Sequence, residues 1–146
     1  MSDNGGHFNP SDKPARNKAN YLAAKAAYNA RDLDKCIAHY APDHQIMSRP
    51  TPPGRQHIRA FLENTFTTWP DIQLVVENAL AEGDWVMGRS VSTSTHTATV
   101  MGVPATGKII RTSFWDLHRF DEHGLIAQTW NLTDSLSIMQ QLGLVS

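Results

Sequence analysis

Residues 109–134, IIRTSFWDLHRFDEHGLIAQTWNLTD, have the composition of two β-strands joined by a tight turn. Valine, isoleucine, threonine and aromatic residues are typical of strands, and the polar segment DEHG is typical of the turn between them. The same composition occurs upstream, so that the sequence predicts strands at Ile72–Ala81, Trp85–Val100, Ile109–Phe120 and Leu125–Leu132. Strands that follow one another through short turns predict an antiparallel sheet.

Helical patterns precede this sheet. An alanine-rich segment predicts a first helix that ends near Ala30. Asp32 then caps a short second helix, which is predicted to run to Tyr40 before Pro42 stops it. A third helix, with an apolar stripe of helical period, begins at about Arg55.

Two shorter elements complete the predicted fold. One is a strand around His44–Ser48, and the other is a final helix, Ser135–Leu142, which ends at Gly143 in a left-handed cap. Helices followed by a meander of strands predict an α+β domain, in which an antiparallel sheet curls around the helices.

The length and composition of the chain predict a single compact domain. It has 146 residues, of which 40% are hydrophobic. Residues 1–13 are rich in glycine, asparagine, serine, aspartate and proline. Because so few apolar side chains cannot offset the entropy lost on ordering, we expect a disordered tail at 1–13 and one domain over 14–146.

The charge balance excludes several classes of partner. Thirteen lysine and arginine residues stand against fourteen aspartate and glutamate residues, for a net charge of −1. We therefore expect neither nucleic acid nor an anionic membrane as a partner.

The sequence has no apolar run long enough to cross a membrane and no signal-peptide pattern at its start. Its single cysteine, Cys36, excludes an intrachain disulfide, and we predict a cytoplasmic protein.

The familiar motifs for binding phosphate, dinucleotides or zinc are absent from the sequence. Its seven histidines include no pair four residues apart on a predicted helix, so we expect no metal and no cofactor. After Lys35 the only lysine is Lys108, in a predicted turn, which argues against a Schiff-base mechanism. Carboxylates and histidines on the strands are then the candidates for chemistry.

Asp134 follows the last predicted strand. Period-two alternation places it at the end of a largely apolar row that begins at Ile126 and includes Trp130. A carboxylate in such a row tends to have a raised pKa, which suits a general acid or base. The same residue can instead cap the helix that begins at Ser135, and the spacing favours neither interpretation.

Phe114, Asp116 and His118 share one face of the preceding strand, and the DEHG turn folds the last strand back beside them. His118 and Asp134 could then approach a common cavity, although the turn length admits more than one register. The alternative for His118 is a surface histidine beside Asp116. His96 lies in a threonine-rich segment and has the pattern of a sheet-surface residue.

Short motifs follow one another in the order Trp69-Pro70-Asp71, Glu82-Gly83-Asp84-Trp85-Val86, Thr95-His96-Thr97, Gly102-Val103-Pro104-Ala105-Thr106-Gly107, then Trp130 with Asp134 ahead of Gln141-Leu142-Gly143. In this order the chain resembles the SnoaL-like polyketide cyclase family, which belongs to the nuclear transport factor 2-like superfamily. The resemblance extends from the first helix to Gly143. It implies a cone-shaped fold in which a curved antiparallel sheet wraps around three helices.

The resemblance also implies an activity, a cofactor-free intramolecular aldol condensation that closes the last ring of an aromatic polyketide. It assigns the general acid/base to an aspartate with a histidine nearby, and the matching positions are Asp134 and His118. An apolar pocket would tune the carboxylate to take a proton α to a carbonyl, while the histidine hydrogen-bonds the enolate oxygen. The pocket residues expected around this pair are Trp130, His96, Phe114, Asp116 and Arg89.

Three functions remain open on the sequence. The first is a cyclase-like or related hydratase or isomerase that acts on a hydrophobic carbonyl compound by proton transfer. The second is an epoxide-hydrolase-like enzyme with an Asp-Arg-Asp arrangement, to which Arg89, more often a solvated charge, could contribute. The third is a non-catalytic module that binds a small ligand or dimerises, in which Asp134 is only a helix cap.

We also expect a homodimer, because Trp115 and Leu117 would leave the outer sheet face apolar.

Overall fold

The computed structural model describes residues 12–146. In chain order the elements are α1 (Lys13–Asn29), α2 (Leu33–Ile37), β1 (Tyr40–Ile46), α3 (Arg55–Thr68), β2 (Gln73–Glu82), β3 (Trp85–Thr95), β4 (Ile109–Phe120), β5 (Ile126–Thr133) and α4 (Ser135–Gln141). The predicted α+β class is confirmed. The predicted tail falls on residues 1–13, which lie outside the described range except for Asp12 and Lys13, and Lys13 already begins α1.

The five strands form one sheet in the order β1-β5-β4-β3-β2. The pairs from β2 to β5 are antiparallel, as the short turns predicted. The prediction of a wholly antiparallel sheet is wrong at one edge, because β1 pairs with β5 in parallel, from Tyr40 opposite Ile126 to Ile46 opposite Thr129. Parallel neighbours need a long crossover, which α3 and the meander together provide.

Strand β1 begins earlier than the sequence predicted. The helix expected to reach Tyr40 stops at Ile37, and Tyr40 already opens the strand. Pro42, interpreted as a helix terminator, lies within β1. Proline is tolerated there because β1 is an edge strand, so that the missing N–H need not bond to a neighbour. Strand β3 also ends earlier than predicted, at Thr95 instead of Val100.

The hydrophobic core lies between the sheet and the first three helices. Helix α1 packs against β2 and β3, and α3 packs against β1. Buried side chains from both layers meet there, including Tyr21, Ile58, Val86, Phe120 and Ile126. Each large apolar side chain that is fully buried stabilises the fold by about 1.5 to 3 kcal/mol.

Candidate functional site

A cavity of about 320 Å³ lies within this core, a size that fits a small organic ligand. Helices α1 and α3 and the inner face of the sheet supply most of its lining, and Ser135 and Ile138 of α4 also border it. Apolar atoms supply most of the lining surface, and its larger apolar side chains include Tyr28, Tyr40, Phe61, Leu62, Trp69 and Phe114. A ligand of this site would therefore be largely hydrophobic.

Asp116, on β4, is the single carboxylate in the lining contributed by residues 12–146. It is 3% exposed. Helix α1 provides two donors to it: Tyr21 Oη lies 2.7 Å from Oδ1, and Lys25 Nζ lies 2.5 Å from Oδ2. Tyr21 and Lys25 are four residues apart, so one face of α1 presents both groups to the carboxylate.

His118 lies on the same face of β4, two residues beyond Asp116. Its Nε2 is 3.2 Å from Asp116 Oδ2, and its Nδ1 is 2.9 Å from Thr129 Oγ1. Thr129 is opposite His118 in the β4–β5 register. On the far side of the same hydroxyl, His44 Nε2 lies 2.7 Å from Thr129 Oγ1. A buried chain of hydrogen bonds thus connects Asp116 to His44.

Charge neutralisation keeps Asp116 ionised despite its burial. Burial alone would raise the pKa of this carboxyl, but Lys25 and His118 outweigh that effect, so its pKa lies below the ordinary value of 3.8. Burial, reinforced by the negative charge of Asp116, raises the pKa of Tyr21. Tyr21 is therefore a protonated hydrogen-bond donor, and Lys25 with Asp116 forms an almost buried ion pair.

The structure places the residues singled out from the sequence in two groups. Phe114, Asp116 and His118 lie together in the cavity lining. Asp134 does not join them: its side chain is exposed, and its Oδ1 accepts a hydrogen bond from Ser137 N at 3.1 Å as the N-cap of α4. This placement corrects the expectation that Asp134 and His118 approach one cavity, and it matches the helix-cap alternative.

The remaining predicted pocket residues lie outside the cavity lining. Trp130 packs against Trp85 with tilted rings whose centroids are 5.6 Å apart, and Arg89 donates to the Asn78 side chain on the exposed face. His96 is fully buried and bonds through Nδ1 to Thr106 Oγ1 at 2.8 Å. The epoxide-hydrolase alternative needs an arginine between two carboxylates. Asp116 is the single carboxylate that residues 12–146 contribute to the cavity lining, so this arrangement is not present there.

Sequence reasoning missed the groups that complete the cluster, namely Tyr21, Lys25, His44 and Thr129. Among the lysines it considered only Lys108, the one lysine after Lys35, as a Schiff-base candidate, and so it did not reach Lys25. A usable signal was present, since Tyr21 and Lys25 lie one turn apart in an alanine-rich helix. A tyrosine among small residues marks the face that packs inward.

Gly88 of β3 makes room for the Tyr21 hydroxyl. A Cβ at this position would lie 1.8 Å from Tyr21 Oη. We expect Gly88→Ala to displace the tyrosine from Asp116 and to lower the free energy of unfolding by about 1 to 3 kcal/mol, the usual range for overpacking. Urea denaturation measures this change. A stability equal to that of the unmodified protein would show that Tyr21 does not depend on this close approach.

Two further features are absent from residues 12–146. No group of three or more histidine, cysteine, aspartate or glutamate side chains in this range is placed to hold a metal ion. No helix in the described range has both the length and the apolar character needed to cross a membrane.

Comparison with known proteins gives one family match and many structural neighbours. The model of the SnoaL-like polyketide cyclases matches residues 18–142. AclR from Streptomyces galilaeus, a candidate hydroxylase, is 29% identical, with a TM-score of 0.81 over 91% of this chain and 88% of its own. IdmH from Streptomyces antibioticus, a candidate polyketide cyclase, is 27% identical, with a TM-score of 0.73 over 93% of this chain and 99% of its own.

A SnoaL-like polyketide cyclase from Agrobacterium tumefaciens shares the fold at 21% identity, with a TM-score of 0.77 over 87% of this chain and 98% of its own. Among curated proteins, none matches the sequence. The family match and these neighbours confirm the fold that the resemblance implied.

Proposed function

Since the chain belongs to the SnoaL-like polyketide cyclase family, we propose that it is a cofactor-independent acid/base enzyme for a hydrophobic carbonyl compound. The reaction is an intramolecular aldol cyclisation or a related hydration or isomerisation. One observation carries the proposal: an ionised carboxylate, Asp116, lies in an aromatic cavity in contact with a lysine and a histidine. We assign the acid/base role to Asp116 in place of Asp134.

Lys25 supports this role because its ammonium group, which donates to Asp116, can donate to a substrate carbonyl instead. Its ammonium group has three N–H donors and lines the cavity. A substrate carbonyl that accepts a hydrogen bond from Lys25 Nζ draws positive charge away from Asp116. The pKa of Asp116 then rises towards the value that its burial favours, and the carboxylate becomes a stronger base as the carbonyl becomes a better acid.

The proton transfers balance within this cluster. Asp116 takes the proton from the carbon α to the carbonyl, and the electron pair moves onto the oxygen, where Lys25 stabilises the enolate. The enolate carbon attacks a second carbonyl of the same molecule. The alkoxide that forms takes the proton back from Asp116, which regenerates the carboxylate. His118, hydrogen-bonded to Asp116, orients it throughout.

Solvent exchange at the substrate carbon tests this function on any compound with the expected chemistry, whichever one is the natural substrate. Aromatic β-diketones and related polyketide fragments are incubated with the protein in D₂O, and deuterium at the α carbon is measured by mass spectrometry. We expect exchange faster than in buffer, and the same rate after chelation of metal ions. Tight binding of these compounds without any accelerated exchange would instead support the ligand-binding alternative.

We also propose that a second copy of the chain covers the outer face of the sheet. The strand register aligns Leu80, Met87, Leu117 and Trp130 across β2 to β5, with Trp115 and Leu132 alongside. Leu80 and Leu132 are 72% and 71% exposed. An exposed apolar surface that spans several strands is typical of an interface between proteins.

Sedimentation velocity tests the dimer. We expect the unmodified protein to sediment as a dimer at micromolar concentration and Trp115→Glu to sediment as a monomer, because the substitution buries a charge in the interface. Leu22→Glu is the matched control, since Leu22 is similarly exposed but lies on α1, away from this face. A monomeric unmodified protein would contradict the proposal.

A further inference from the structure

Arg49 is a cation at the edge of the cavity that the proposed reaction does not use. It follows β1 and belongs to the cavity lining, and its guanidinium carbon lies 5.5 Å from the centroid of the Phe61 ring on α3. An aromatic face attracts a guanidinium, so this contact holds the charged group beside the apolar lining. Arg49 is exposed, and it forms no ion pair with any carboxylate of residues 12–146.

The charges of the cavity lining do not balance. Lys25 and Asp116 form an ion pair and cancel each other. Arg49 is the third full charge that residues 12–146 contribute to the lining, and it has no acidic partner there. A proton on both nitrogens of His118 would add to the excess, so the lining carries positive charge in either state of that histidine. An uncompensated positive charge favours an anionic ligand.

The strands fix the distance between Arg49 and the reacting groups. Asn131 of β5 is opposite Asp116 of β4. On the other side of Asn131 lies Ser48, whose Oγ donates to Asn131 Oδ1 at 3.0 Å and accepts from Asn131 N at 3.1 Å. Since neighbouring strands are about 4.8 Å apart, the backbone at Ser48 lies about 10 Å from that at Asp116. Arg49 is the next residue, so a ligand that reaches it and Asp116 has two functional groups well separated along its length.

We propose that Arg49 binds a carboxylate of the substrate, at the end of the molecule away from the carbonyl on which Lys25 and Asp116 act. This inference rests on the proposed function, because it names the substrate class of the same site, an aromatic carbonyl compound with a free acid. A guanidinium matches a carboxylate because two parallel N–H donors meet its two oxygens. One uncompensated positive charge also matches a monoanion better than a phosphate with two negative charges.

Binding of a matched pair of ligands tests this specificity. One ligand is an aromatic β-diketone with a carboxylate at the para position of its ring, and the other is the methyl ester of the same compound. Isothermal titration calorimetry measures both dissociation constants. We expect Arg49→Gln to weaken binding of the acid by roughly 5- to 10-fold, between the effect of an exposed ion pair and that of a hydrogen bond to a charged group. Its affinity for the ester should not change.

Lys18→Gln is the matched control, since it removes the same charge from an exposed position on α1 outside the cavity lining. Both affinities should persist in this variant. An acid affinity that does not fall in Arg49→Gln, or that falls as far in Lys18→Gln, would overturn the proposal. Tighter binding of the corresponding aryl phosphate than of the acid by the unmodified protein would overturn the choice of a carboxylate.

Deuterium exchange separates this inference from the proposed reaction. A loss of acid binding in Arg49→Gln, together with no α-carbon exchange by the unmodified protein, contradicts the reaction and supports the anion site. Exchange by the unmodified protein on both compounds, with equal binding of the acid by the unmodified protein and Arg49→Gln, contradicts the anion site and leaves the reaction supported.

Discussion

Asp116→Asn is expected to lower turnover by roughly 10²- to 10⁴-fold, the usual contribution of a positioned general acid or base. An amide cannot take the proton from the α carbon, so the first step loses its base. The amide oxygen can take the position of Oδ2 and accept from Lys25, while the amide NH2 takes the position of Oδ1 and donates to the Tyr21 hydroxyl oxygen, so the cavity should keep its shape. Substrate affinity should therefore change far less than turnover. Steady-state kinetics on a carbonyl substrate found by solvent exchange measure both quantities.

Asp134→Asn is the matched control for this experiment. Asparagine caps helices about as well as aspartate, so the bond to Ser137 N and the turnover should both persist. Circular dichroism and thermal unfolding of both variants separate a catalytic loss from a folding loss. If turnover fell in Asp134→Asn and persisted in Asp116→Asn, Asp134 and not Asp116 would be the general acid/base.

Acidification is expected to destabilise the fold steeply. The pKa of His44 is about 3 in the folded protein and 6.5 when unperturbed. Between these values the unfolded chain binds a proton at His44 that the folded protein does not bind, so the free energy of unfolding falls as the pH falls. The slope from this residue approaches about 1.4 kcal/mol per pH unit inside that window.

Asp116 makes a second contribution to the loss of stability, and it begins at lower pH. Because the folded-state pKa of Asp116 lies below 3.8, its stabilising effect is complete above that value and is lost as the pH falls below it. The groups that face His44 are Tyr40, His118 and Thr129, and Asp116 follows along the chain of hydrogen bonds.

Urea denaturation at several pH values between 7 and 4 measures this slope, and His44→Gln is the control. Its side chain does not titrate, so the slope above the range of Asp116 should become shallower. Equal slopes for the unmodified protein and the variant would show that His44 is not the group responsible.

Local sequence patterns predicted most of the fold because they encode local structure. The strand compositions, the DEHG turn and Gly143 at the end of α4 depend on neighbouring residues. The parallel pairing of β1 with β5 joins residues far apart in the chain, and no local turn pattern predicts it. The predictions of a cytoplasmic protein without cofactor or metal remain predictions.

The site was predicted in part. Alternation on β4 correctly grouped Phe114, Asp116 and His118, because the period of a strand is independent of its partners. Alternation on β5 could not show which row faces the cavity. Ile126 lies in the core, but the register shifts after it, so that Thr129 faces inward while Trp130 and Leu132 face outward, which reverses the usual pattern.

This reversal has a physical cause in the molecule. The inner face of β5 borders a polar cluster in a cavity, while the outer face belongs to the apolar surface proposed to bind a second copy. Asp134 continues the outward row, which is why its carboxylate reaches Ser137 N and not His118.

Deuterium incorporation at the α carbon of one bound β-diketone, compared among the unmodified protein, Asp116→Asn and Asp134→Asn, tests the role of Asp116 most directly. It reports the removal of the proton itself, before any ring closes. We predict accelerated exchange by the unmodified protein and by Asp134→Asn, and a rate near that of buffer for Asp116→Asn. Undiminished exchange by a folded Asp116→Asn that still binds the diketone would contradict the assignment of Asp116 as the base.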